Sequence, residues 1–94
     1  MKTIRMAADL AAIPFSEQQA LADTVAASEL GEPMLLSWYD AARGIESPNG
    51  VSECSEAAPD LGVRRYAASR GGALTVEIGP QPACSVFCYL DLAV

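Results

Sequence analysis

Ninety-four residues suffice for one hydrophobic core and not for two, because a chain of this length buries only about 60–65% of its unfolded surface. Six basic against twelve acidic residues leave a net charge of −6, which repels a phosphate backbone and argues against a nucleic-acid partner. The absence of histidine excludes Ser-His and Cys-His nucleophile pairs, His-ligated zinc and imidazole catalysis near neutral pH.

The apolar share of 51% contains 17 alanines, so the larger side chains fill only a thin core. No window approaches the roughly 20 apolar residues of a membrane span. Asp9 interrupts the opening MKTIRMAADLAAIPF, so no secretory leader is read there. Three cysteines are an odd count without the spacing of a secreted disulfide framework. These features predict a soluble, cytoplasmic protein with reduced thiols and no membrane contact.

Along the chain, residues 1–6 alternate, Ile4 and Met6 facing one way and Thr3 and Arg5 the other, as in a half-buried strand. After Pro14 comes a helix start, in which Ser16 can cap, Gln19 follows three residues on and Phe15 can staple onto Ala20. Ala20, Leu21, Thr24, Val25 and Ser28 form the predicted inner stripe, and Gly31 closes the helix ahead of Pro33. Met34 to Tyr39 reads as a central strand ending near Asp40. Strand alternation predicts Trp38 inside with Leu36 and Met34, and Tyr39 outside beside Arg43. Asp40 to Gly44 reads as a turn with Gly44 free to take positive φ, and Gly44 to Ser47 as a short returning strand. Ser47-Pro48-Asn49-Gly50 stops it, and residues 52–58 are polar and irregular.

Pro59-Asp60 can open a second helix that runs through Leu61, Arg64, Arg65, Tyr66 and Ser69 to a stop at Gly71-Gly72. Gly62 weakens it. Arg64, Arg65 and Arg70, flanked by Glu56 and Asp60 and without an aromatic ladder, read as a solvated helix face. Leu74, Val76 and Ile78 share one face of the next strand, the turn Gly79 to Pro82 follows, and Cys84 to Leu92 forms the last strand. The predicted order is β-α-β-(β)-α-β-β. The expected fold is α+β: a single domain over residues 1–94, a two-layer sandwich with two helices on one face of a mostly antiparallel four- to five-stranded sheet.

Several constellations bear on chemistry. Lys2 is the only lysine, which leaves little basis for a Schiff base, and Gly71-Gly72 lacks phosphate-loop spacing. Cys84 and Cys88 lie four residues apart, about 13 Å along a strand and beyond the ~7 Å reach of a disulfide. They read as buried apolar thiols. Glu53 and Glu56 flank Cys54 and would raise its pKa, which makes a reactive thiol the lesser reading. Asp40, Glu46 and Glu53 are carboxylates that could converge for acid/base work, with pairing to Arg43 or plain solvation the commoner outcome. The candidate binding surface is therefore Tyr39, Asp40, Arg43, Glu46, Glu53 and Cys54, with no catalytic residue, metal ligand or cofactor assigned.

The patterns MLLSWYD…RG..SP…EC, RRYAASRGG and L.VEI…FCYL together resemble a small uncharacterised α+β domain family of bacteria and archaea. The resemblance implies a similar fold and brings no established activity, so it transfers no catalytic residue. The leading expectation is a non-catalytic domain acting through protein interaction as a homodimer, since a small sheet leaves an unpaired edge. The alternative is a small-molecule or metal-binding domain, or a weak enzyme, built on Asp40, Glu46, Glu53 and Cys54 beside Trp38 and Arg43.

Overall fold

The alternating stretches near the two ends of the chain meet in space. The computed structural model describes residues 1–51, 60–80 and 84–93. Within these residues the chain runs β1 (Lys2–Met6), a 3₁₀ turn (Ala8–Ala12), α1 (Phe15–Glu29), β2 (Pro33–Asp40), β3 (Ile45–Ser47), α2 (Leu61–Ser69), β4 (Leu74–Ile78) and β5 (Ser85–Asp91). This is the expected α+β order. The expected irregular stretch 52–58, the helix opening at Pro59 and the second half of the Gly79 to Pro82 turn lie outside the described residues.

The strands form one sheet in the order β1-β4-β5-β2-β3. β4/β5, β5/β2 and β2/β3 pair antiparallel, whereas β1 lies parallel to β4, with Ile4 opposite Val76. The sheet is therefore mixed rather than mostly antiparallel. The cause is α1: a helical crossover returns β2 in the same direction as β1, and the β4/β5 hairpin fills the gap between them.

The two helices lie on opposite faces of the sheet, not on one. Ala22 and Ala26 of α1 pack with Leu74, Val76, Ile78, Phe87 and Tyr89, joined by Phe15, Leu35 and Trp38. Val63 and Ala67 of α2 pack with Cys84, Val86 and Cys88, joined by Leu36 and Tyr39. The sequence of β5 explains this, because SVFCYLD places apolar residues at consecutive positions and so on both faces. All five residues of β4 and the first five of β5 are buried. One helical layer covers one face only.

A register irregularity in β2 sets which aromatic goes where. Leu35 pairs with Tyr89 and Ser37 with Cys88, so Leu36 is extra and, as in a β-bulge, two successive residues share a face. Leu36 and Tyr39 join the α2 cluster while Leu35 and Trp38 join the α1 cluster. Trp38 is thus partly buried without Leu36, Met34 is exposed at 41%, and Tyr39 packs toward α2, away from Arg43.

The inward stripe of α1 only partly matches the expected one: Val25 packs against the core as expected, but the fully buried positions are others. Gln18, Ala22 and Ala26 are its buried residues, and no side chain caps its start. Thr24 and Ser28 are exposed and donate back to the carbonyls of Ala20 and Val25 at 3.0 and 3.1 Å, the ordinary way in which a helix absorbs small hydroxyls. Ala22 and Ala26 are fully buried against the sheet, so a larger side chain at either position would overpack the core.

Candidate functional site

Asp40 ends β2 and is buried, at 2% exposure. Its Oδ1 accepts from the amides of Ala42 and Arg43 at 3.0 and 3.4 Å, and its Oδ2 from Arg43 Nε at 2.5 Å. Gly44 N–H then donates to Asp40 O at 2.8 Å, and Gly44 takes φ +65°, a conformation that costs glycine little. Asp40 is thereby a turn-building residue with both oxygens occupied. It holds the Arg43 guanidinium 5.4 Å over the Phe15 ring, and Phe15 in turn stacks on Phe87 at a centroid distance of 5.2 Å and meets Trp38 in a tilted contact at 4.9 Å.

The sheet divides the residues singled out from the sequence. Asp40 and Arg43 lie with Phe15 on the α1 side, whereas Tyr39, paired with Glu46 across β2/β3, belongs to the α2 side. Glu53 and Cys54 lie outside the described residues. Among the described residues, no group of three or more His, Cys, Asp or Glu side chains is arranged to hold a metal ion.

The densest ionic cluster was not singled out from the sequence. Glu77, 4% exposed on β4, accepts from Arg5 Nε of β1 at 2.9 Å and from Arg64 Nη2 of α2 at 2.6 Å, while Arg64 Nε reaches Asp60 at 2.7 Å. Burial alone would raise the Glu77 carboxyl, but the hydrogen bonds and charges of Arg64 and Arg5 outweigh it and hold the group below its ordinary value. Alternation marks Glu77 as pointing away from Leu74, Val76 and Ile78, which reads as solvent for a sheet covered on one side. A second helix on that side turns the position into an interior one.

The remaining buried ionisable groups are quiet. Burial pushes the thiols of Cys84 and Cys88 up, so neither is a ready nucleophile. Tyr89 is 2% exposed and donates to Asp23 Oδ1 at 2.7 Å. Burial first, then that carboxylate, drives its phenol well upward. At the end of β5, Asp91 accepts from the amides of Gly31, Glu32 and Ala93 at 3.1, 2.9 and 3.0 Å, and these donors hold it below its ordinary value.

The model of a domain of unknown function, DUF5619, matches residues 1–89. The chain belongs to this family. No curated protein and no solved structure matches it. The DUF5619 match runs from β1 to Tyr89, across both helices and into β5.

Two further features of this DUF5619 domain are an open sheet edge and a cleft. β1 and β3 are the outer strands of the sheet. β1 bonds to β4 through Lys2, whose amide donates to Ala73 O at 3.2 Å, and parallel pairing then turns the amides and carbonyls of Thr3 and Arg5 outward. Between the start of α1 and the β2–β3 turn lies a cleft of about 330 Å³ lined by Phe15, Gln18, Asp40 and Arg43 among others. No described helix is long and apolar enough to cross a membrane.

Proposed function

We propose that this DUF5619 domain acts by binding, without catalysis, and that its partner is a second copy of the chain joined through β1. The observation that carries this reading is the outward backbone of β1. Among the described residues no strand pairs with its outer side, and an unpaired edge is a template for another strand.

Antiparallel pairing about a two-fold axis at Ile4 sets Thr3 opposite Arg5 of the other copy. Those two residues carry the outward amides and carbonyls, so each pair exchanges two hydrogen bonds. Arg5 remains compatible with such an interface because Glu77 neutralises its charge. The opposite edge offers less: β3 has three residues and is followed by Pro48, which has no amide N–H to donate. We place the protein in the cytoplasm, in keeping with the buried thiols of Cys84 and Cys88.

Size-exclusion chromatography with light scattering tests this reading. A mass of two chains at about 100 μM that falls toward one chain on dilution is expected for a modest interface. A one-chain mass throughout the series overturns the proposal.

A further inference from the structure

Independently of the edge pairing, we infer that the cleft between the start of α1 and the β2–β3 turn binds a small α-amino acid. Its carboxylate meets Arg43, its ammonium donates to Gln18, and its side chain rests on Ile13 and neighbouring alanines.

Gln18 carries the argument. It is 5% exposed, and its Nε2 donates to the carbonyls of Leu10, Ala11 and Ile13 at 3.4, 3.2 and 3.1 Å. Three carbonyls around one end identify that end as the nitrogen, so the other is the oxygen. That oxygen, Oε1, is shut off from solvent and accepts nothing, the one such buried side-chain atom among the described residues. A buried acceptor without a donor is uncommon enough to need an explanation. An ammonium supplies the donor, and binding then includes a small outward shift of the Ala8–Ala12 turn that Gln18 holds.

Arg43 supplies the opposite requirement. Asp40 takes its Nε, and Phe15 lies beneath the guanidinium, so the Nη pair projects from a held side chain. Bidentate carboxylate recognition uses this geometry. The start of α1 borders the same cleft and has no side-chain cap, and its partial positive charge also favours a carboxylate. Ala11, Ala12, Ile13 and Ala42 form the apolar wall. The cleft volume of about 330 Å³ falls at the small end of ligand sites.

Titration of the ¹⁵N-labelled full chain with three matched probes tests the inference. L-Leucine carries both polar groups, 4-methylpentanoate lacks the amine, and L-leucinamide lacks the carboxylate. Saturable shifts are expected at the amides of Ala12, Phe15, Ser16 and Arg43 and at the Gln18 side-chain NH₂. Affinity for L-leucine should exceed that for either other probe by about tenfold. Equal binding of 4-methylpentanoate overturns the role of Gln18, and equal binding of L-leucinamide overturns that of Arg43. No saturable shift with any probe by about 10 mM, the result expected if the cleft holds water only, overturns the site. Arg43→Lys, at an exposed position, should weaken L-leucine binding about tenfold with an unchanged circular dichroism spectrum, and unchanged affinity counts against the inference. Gln18→Met should do the same. If that variant unfolds, Arg43→Lys and the probe series still decide.

Discussion

Glu77 links three elements through two arginines, and its energetic weight follows from burial. Its side chain is 5% exposed, against 28% for Arg64 and 72% for Arg5, so the Arg64 contact is the strong one and solvent screens the other. Glu77→Ala leaves Arg64 half-buried without this partner and should cost about 3 kcal/mol in urea denaturation. The cluster also sets an acid limit. Glu77 and Asp91 both titrate below their ordinary values of 4.5 and 3.8 in the folded chain. The unfolded chain therefore binds more protons in the acid range, and their stabilising contribution is present above those ordinary values. It is lost as pH falls through them to the folded values. Urea midpoints should hold steady above about pH 5 and fall below it. The fall should be shallower in a Glu77→Gln, Asp91→Asn double variant, and an unchanged acid limb overturns this assignment. At the same scale, Cys84 and Cys88 should react with a thiol reagent at least about 100-fold more slowly in the folded chain than in urea, read by mass spectrometry of the labelled peptides.

At the scale of elements, β2 shows how one extra residue redistributes a strand. Leu36 and Ser37 both face α2, where Ser37 Oγ donates to Val63 O at 2.8 Å, and the shift returns Trp38 to the α1 side beside Phe15. Removing Leu36 restores plain alternation: Leu35 and Trp38 stay on the α1 face, and Ser37 and Tyr39 on the other. The deletion variant should therefore fold with the same pairing. It should lose about 2 kcal/mol for the missing leucine packing, measured by denaturation, with its Trp38 fluorescence close to that of the parent. A chain that fails to fold shows that the bulge itself is required. The same strand explains why Tyr39 and Arg43 part company. Arg43 follows Asp40 into the turn on the α1 side, and Tyr39 pairs with Val86 over α2.

At the scale of the whole molecule, burial of both sheet faces leaves the edges as the places where backbone is available to a partner. Thr3→Pro is the sharp test of the β1 proposal. It removes an amide that points outward and leaves the Lys2, Ile4 and Met6 bonds to β4 in place, and proline is tolerated at such an edge position. The variant should keep its circular dichroism spectrum and thermal midpoint at low concentration while its mass by light scattering drops to one chain. An unchanged two-chain mass assigns the interface to some other surface.

The sequence by itself determined the α+β class, the order of elements and the C-terminal hairpin. Each of these rests on signals within a few residues: alternation in 2–6 and 74–78, the break at Pro14, the stops at Gly31 and Gly71-Gly72. It also determined which chemistry is closed, since a chain without histidine has no imidazole wherever it folds. Even β5 carried the clue that both faces are apolar. The tertiary structure alone decided which helix covers which face, that β1 runs parallel to β4, and that Glu77 and Gln18 are interior. Those outcomes depend on where a crossover returns and what covers each face, and no local pattern encodes them. The candidate surface parted for the same reason. Tyr39 and Asp40 are neighbours in the chain, but successive strand residues point to opposite faces, and each face has its own helix.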